Sequence, residues 1–131
     1  MSTALVWFRQ DLRLADNPAL RAAVASARHV VPVYVWSPEE EGAWAPGGAA
    51  RWWLHDSLRS LEARLRERGS RLVITRGPTC DALLALAKAT GATQILWNRR
   101  YEPAAMAVEK ALEQRLVTDG MIGLAFHSSR L

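Results

Sequence analysis

Short β-branched apolar runs alternate along the whole chain with longer stretches of helical period, and this alternation limits the possible folds more than any other feature. The runs are Ala4-Leu5-Val6-Trp7-Phe8, Val30 to Trp36, Leu72 to Thr75, Ile95 to Trp97 and Ile122 to Phe126. Such near-continuous apolar character suits strands covered on both faces, as in a parallel sheet. Pro32 cannot donate to a ladder, so it belongs near the start of its strand or at an irregularity. Four helices fill the intervals. Asp16-Asn17-Pro18 offers a capping side chain followed by proline, which predicts a helix over about 18–27. A second helix, about 49–68, carries Leu54, Leu58, Leu61 and Leu65 on one stripe, with Gly69 just past its end. A third, about 79–90, stops at Gly91, and a fourth, about 103–118, opens with Pro103 and closes before Gly120. Right-handed crossovers then predict a five-stranded, parallel, doubly wound α/β sheet with helices on both faces, a single domain over residues 1–131.

Composition narrows the class. With 131 residues, half of them hydrophobic, the chain is long enough for one core without disulfides or a structural metal. Cys80 is the only cysteine, which excludes a disulfide framework and a cysteine-rich zinc site within one chain, and fits a reducing cytoplasm. No apolar run approaches the roughly 18–20 residues of a membrane span. Met1-Ser2-Thr3 leads directly into a strand instead of a signal peptide, so the expected location is cytoplasmic. The formal charge is +4, from 17 basic and 13 acidic residues, and Lys88 and Lys110 are the only lysines. Arginines interleave with glutamates, as in Glu62-Ala63-Arg64-Leu65-Arg66-Glu67-Arg68, the pattern of a solvated helix face rather than a nucleic-acid surface.

Ligands of an open α/β sheet sit beyond the carboxyl ends of its strands. Those ends carry Phe8-Arg9-Gln10-Asp11, Trp36-Ser37, Arg76-Gly77 and Asn98-Arg99-Arg100. The first turn holds no glycine and the chain has no GxxxxGK[ST] stretch, which argues against dinucleotide and nucleoside-triphosphate binding. His29, His55 and His127 are dispersed, no serine occupies a G-x-S-x-G elbow, and Cys80 opens a helix without an evident partner, so nucleophilic catalysis lacks its parts. A thiol at a helix N-terminus can have a lowered pKa, but Cys80 reads as packing. Glu39-Glu40-Glu41 lacks the alternating oxygen spacing of a cation site and reads as solvated loop. It lies in Ser37 to Gly48, an irregular stretch whose length marks a functional or a mobile loop. Arg9, Asp11, Arg13 and Asp16 alternate in charge, which predicts a network fixing the first loop. Of six tryptophans, Trp7, Trp36 and Trp97 fall at or near strand ends, Trp53 flanks the leucine stripe where it is available to the core, and Trp52 points away from it. An outward tryptophan suggests a docking surface or a ligand platform.

These residues carry a resemblance. Leu5-Val6-Trp7-Phe8-Arg9-Gln10-Asp11-Leu12-Arg13-Leu14, then Asp16-Asn17-Pro18-Ala19-Leu20, closely resembles the opening of the DNA photolyase and cryptochrome family. Trp36-Ser37-Pro38-Glu39-Glu40-Glu41-Gly42, Pro46-Gly47, Arg51-Trp52-Trp53-Leu54 and Ser57-Leu58 look like the plant cryptochromes and their bacterial photolyase relatives. Trp97-Asn98-Arg99-Arg100-Tyr101-Glu102-Pro103 matches the family's segment after the fourth strand. The likeness covers essentially the whole chain and only the family's N-terminal α/β domain.

The resemblance implies a domain that holds an antenna chromophore, methenyltetrahydrofolate or a deazaflavin, at the crevice between two domains and passes excitation energy to a flavin. It places that FAD, the electron-transfer tryptophans and the pocket for UV-damaged DNA in a following helical domain, which is expected to dock in cis and to begin beyond the chain's end near His127 to Leu131. The chain by itself is therefore expected to be inactive, and to self-associate to some degree through the docking surface. Where some folate-binding photolyases place an Asn-Glu pair just beyond the Tyr-Glu match, this chain has Ala104-Ala105. Deazaflavin-binding members favour an arginine where Gln10 stands and an acid near Arg100. A folate in a differently built pocket, using the Glu-rich loop and the Arg-Trp-Trp motif, is the expectation. The residues expected to line it are Phe8, Gln10, Trp36, Glu40, Asn98 and Glu102. A cryptochrome light receptor and a free-standing nucleotide-binding domain are the rival readings.

Overall fold

Along the first strand, β1 (Thr3–Phe8), side chains alternate between two separate apolar clusters. Ala4, Val6 and Phe8 enter one, and Leu5 and Trp7 the other. This is the period-two consequence of the pleat, and it requires helices on both faces. The computed structural model describes residues 2–9, 11–40 and 48–127; Gln10 and most of the long irregular stretch, 41–47, lie outside the described residues. The remaining elements are α1 (Pro18–Ser26), β2 (His29–Trp36), α2 (Gly48–Glu67), β3 (Val73–Arg76), α3 (Thr79–Thr90), β4 (Gln94–Asn98), α4 (Pro103–Thr118) and β5 (Ile122–Phe126). All strand pairs are parallel, in the order β3-β2-β1-β4-β5.

The doubly wound sheet follows from that order. The chain steps outward from β1 to β3, returns through α3 to the other side of β1, and steps outward again to β5. Helices α1 and α2 cover one face and α3 and α4 the other, as the cluster memberships of Ala19, Ala23, Leu61 and Leu65 against Leu83, Ala87, Leu112 and Leu116 show. The predicted leucine stripe of α2 packs on the sheet, with Leu54, Leu61 and Leu65 buried and Leu58 partly so. Each such leucine contributes roughly 1.5–3 kcal/mol of burial. Asn17 caps α1 through its Oδ1, which accepts from Leu20 N, and Pro18 takes the first helical position. Gly91 ends α3 at φ 73°, a conformation a β-carbon would strain. Pro32 sits inside β2 opposite Val6, ahead of Val33, the first β2 residue that β3 covers, so its missing donor leaves no gap in that ladder.

Two expectations are corrected. Trp53 is 58% exposed and does not join the core; Trp52 beside it is 72% exposed. The run Ile122 to Phe126 reads as a strand covered on both faces, yet β5 is an edge strand with Ile122 and Leu124 exposed. A run's hydrophobicity reports that it is a strand and carries no information on its rank in the sheet.

Candidate functional site

The strand order reverses between β1 and β4, and their carboxyl ends open the crevice where such sheets place ligands. Asn98, the last residue of β4, is buried there with both side-chain atoms engaged. Its Nδ2 donates to Asp11 Oδ2 (2.6 Å) and Asn17 Oδ1 (2.7 Å), and its Oδ1 accepts from Ala19 N (3.0 Å). Asp11 also accepts from Arg9 N at 2.9 Å. One side chain thereby ties the β1–α1 loop, the start of α1 and the end of β4 together. Arg13 donates to the carbonyls of Ala15 and Asp16. The alternating charges do fix the first loop, as predicted, but largely through backbone groups and Asn98.

Arg9 turns to the opposite face. Its guanidinium, 8% exposed, lies 4.4 Å above the ring of Trp7, forms an ion pair with Glu109 of α4, and donates to the Ala105 carbonyl at 3.2 Å. Burial pulls its pKa below the ordinary arginine value, and the Glu109 carboxylate opposes that effect. Glu109, 3% exposed, further accepts from Arg100 N (3.0 Å) and from Arg99 Nη1 (3.4 Å). Below lie Trp7 and Trp97, register partners on β1 and β4 whose rings sit 5.8 Å apart. Both belong to the core.

Glu40 also has a definite task. Pro78, at the N-cap position of α3, offers no capping side chain. The Glu40 carboxylate supplies the cap, accepting from Thr79 N at 3.3 Å and from the Thr79 hydroxyl. The β2 and β3 ends are tied in the same place, where Gly77 N donates to the Trp36 carbonyl at 2.9 Å and a β-carbon on Gly77 would run into the Ser37 side chain. Next to this cap, burial and then Glu40 push the Cys80 thiol above its usual pKa, the reverse of an activated nucleophile.

The sequence-predicted site residues therefore separate by role. Phe8 is buried in the α1/α2 core cluster and Asn98 is engaged on all sides, so both build the floor of the crevice. Glu40 is placed instead at the start of α3, by the β2 and β3 ends, with β2 between it and β1. Trp36, half-buried against the same cluster, and the exposed Glu102, ion-paired with Arg100, stand nearer the surface. The Arg100 hydrogen bond holds the Glu102 carboxyl below its ordinary pKa. Tyr101 stacks on His127, its hydroxyl bonded to Nδ1, beside Glu102. Sequence reasoning missed Glu109 altogether; its signal, one of two acids within α4, is indistinguishable from a solvated helix residue. A groove of about 470 Å³ runs along the edge strand β3 and α3, lined by Ala82, Ala85, Leu86 and Ala89 of α3 with Arg76 and Asp81 among its polar residues, and touches the sheet away from the β1–β4 reversal. Among the described residues no cluster of three or more His, Cys, Asp or Glu could hold a metal ion, and no helix is long and apolar enough to cross a membrane.

A family model described as DNA photolyase matches residues 4–131. A deoxyribodipyrimidine photo-lyase of Agrobacterium fabrum is 46% identical over 127 residues, 97% of this chain and 26% of the relative. Cryptochrome-1 of Arabidopsis thaliana is 42% identical over 98% of this chain and 19% of its own length. The crystal structure of a bacterial class III photolyase from Agrobacterium tumefaciens superposes with a TM-score of 0.88 at 45% identity, covering 96% of this chain and 26% of that one. The chain thus spans about a quarter or less of the length of these relatives.

Proposed function

The chain belongs to the DNA photolyase family, and from that premise we propose that it is the antenna-binding N-terminal α/β domain of a deoxyribodipyrimidine photolyase. The observation that carries this reading is the crevice at the β1–β4 reversal. Among the described residues, Asn98 on one side and Glu109 on the other are spent in holding its own walls. Among the described residues no serine, threonine or cysteine there is bonded to a histidine. A rigid crevice without acid–base machinery suits energy transfer, which depends on the distance and orientation of a bound chromophore. The chromophore would absorb light and pass excitation onward.

Trp36 supplies a half-buried aromatic wall and Glu102 a polar edge at the mouth, and Gln10 completes the proposed contacts. Phe8 and Asn98 hold the shape of the crevice, and Glu40 fixes the start of α3 at the β2 and β3 ends. In the parent protein FAD, bound by a helical domain in cis, would split pyrimidine dimers in UV-damaged DNA by electron transfer, and none of the described residues is assigned to that flavin.

Titration of the chain with methenyltetrahydrofolate, and in parallel with a deazaflavin, tests the reading. One of the two should bind with a shifted absorption band and protect Trp36 and Glu102 from exchange or labelling; no shift with either would overturn it. A second reading, a blue-light receptor, is favoured by the 42% identity to a plant cryptochrome. Light-driven dimer repair by the full-length protein decides between them.

A further inference from the structure

The formal charge of +4 belongs to one part of the fold. Residues 48–76, from the start of α2 to the end of β3, hold seven arginines against three acids, and the rest of the chain holds ten basic and ten acidic residues. The alternation of arginine and glutamate along α2 predicts a face that pairs its own charges, and the structure departs from that. Arg9, Arg99, Arg100 and Arg115 are ion-paired with acids of α3, α4 or the α4 N-cap. Among the described arginines of α2 and β3 only Arg66 finds an acid, Glu62, at 3.5 Å on the helix surface, where such a pair contributes little. Arg59, Arg64, Arg68, Arg71 and Arg76 are exposed.

We propose that this face binds the phosphate backbone of an unpaired nucleic-acid strand, with Trp52 as the platform on which a base stacks. Trp52, Arg59 and Arg66 recur every seven residues along α2. They therefore share one side of the helix, turned away from the leucine stripe, at steps of about 10 Å. The Trp52 ring is 72% exposed at one end of this row. Guanidinium groups that follow the backbone and a ring that takes a base are the combination that holds single strands without sequence preference. Every cation of the segment is an arginine, whose planar fork matches phosphate oxygens. A helix lying on a membrane presents an apolar stripe to lipid, and the stripe of α2 is already spent on the sheet. An acidic peptide offers the charge but no base for Trp52. The proposal goes beyond the antenna reading and does not rest on it.

Fluorescence anisotropy of a labelled oligothymidylate, titrated with the chain at several salt concentrations, tests it. Log affinity should fall linearly with log salt, by about 0.7 for each phosphate contact. Arg59→Gln combined with Arg66→Gln should flatten the slope by about 1.4, the value for two lost contacts. Trp52→Ala should weaken binding about fivefold or more at fixed salt and leave the slope unchanged. Arg115→Gln, which removes an exposed arginine paired with Asp81 on the opposite face of the sheet, should change neither. All of these side chains are exposed, so the variants should unfold near the wild-type midpoint.

An unchanged slope in the double variant, an unchanged affinity in Trp52→Ala, or the same flattening in Arg115→Gln overturns the proposal. So does displacement by polyglutamate as effective per charge as by unlabelled oligothymidylate, or binding to phosphatidylserine vesicles by a chain that ignores the oligonucleotide. No chromophore enters the assay, so its failure leaves the antenna reading untouched, and failure to take up a folate leaves this result intact.

Discussion

Replacing Asn98 tests the architecture of the crevice most directly. Asn98→Ala strips the partner from the buried Ala19 N–H, at a cost of about 1–3 kcal/mol, and removes a hydrogen bond to the charged Asp11, worth roughly 1.5–3 kcal/mol. Asp11 is only half-buried and recovers part of its loss from water, so the expected total is about 3 kcal/mol. At roughly 3–5 °C per kcal/mol for a chain of this size, the melting midpoint should fall by about 10 °C. Asn98→Asp preserves the acceptor for Ala19 but puts an oxygen where Nδ2 stands, 2.6 Å from Asp11 Oδ2 and 2.7 Å from Asn17 Oδ1. Two carboxylates so close hold one proton between them, which raises the apparent pKa of the pair in the folded state. The folded chain then binds more protons than the unfolded one, whose carboxyls titrate near about 3.9. Stability of this variant must therefore fall as pH rises from about 4 toward neutrality, by about 1.4 kcal/mol for each unit of the raised pKa. Thermal and urea unfolding followed by circular dichroism read both effects. A loss below about 1 kcal/mol for Asn98→Ala, or a flat profile for Asn98→Asp between about pH 4.5 and 7.5, would refute the argument.

Other outcomes follow from single contacts. Gly77→Ala should cost about 1–3 kcal/mol in urea unfolding, because its new methyl meets Ser37, and adding Ser37→Gly should restore most of the loss. Leu61→Ala, in the fully buried stripe of α2, should cost about 2–5 kcal/mol. Trp52→Ala on the same helix should change stability by no more than about 0.5 kcal/mol, since that ring is largely exposed.

Much of the fold is legible in the chain because its signals are local. Asn17-Pro18 opens α1 as predicted, the leucine stripe faces the sheet, and Gly91 stops α3. These depend on residues within a turn or two of one another. The site was legible by position and not by role. Strand-end reasoning led to Asn98 and the family resemblance to Glu40, but the chain's order gives no hint that Asn98 would be spent on Asp11, Asn17 and Ala19, or Glu40 on a helix 39 residues away. Trp53 shows the limit of stripe-flanking arguments, because a position beside the buried face turns outward with a modest rotation of the helix.

Alternation of strand and helix, the caps and the period of the leucines belong to the amino-acid order alone, since each expresses a backbone or side-chain preference acting over a few residues. Which strands became edges, and the meeting of Arg9 with Glu109 a hundred residues later, belong to the tertiary structure. The physical reason is that a buried charge is tolerated only where another element delivers its partner, and the delivery is settled by where α4 packs, against α3 and β5.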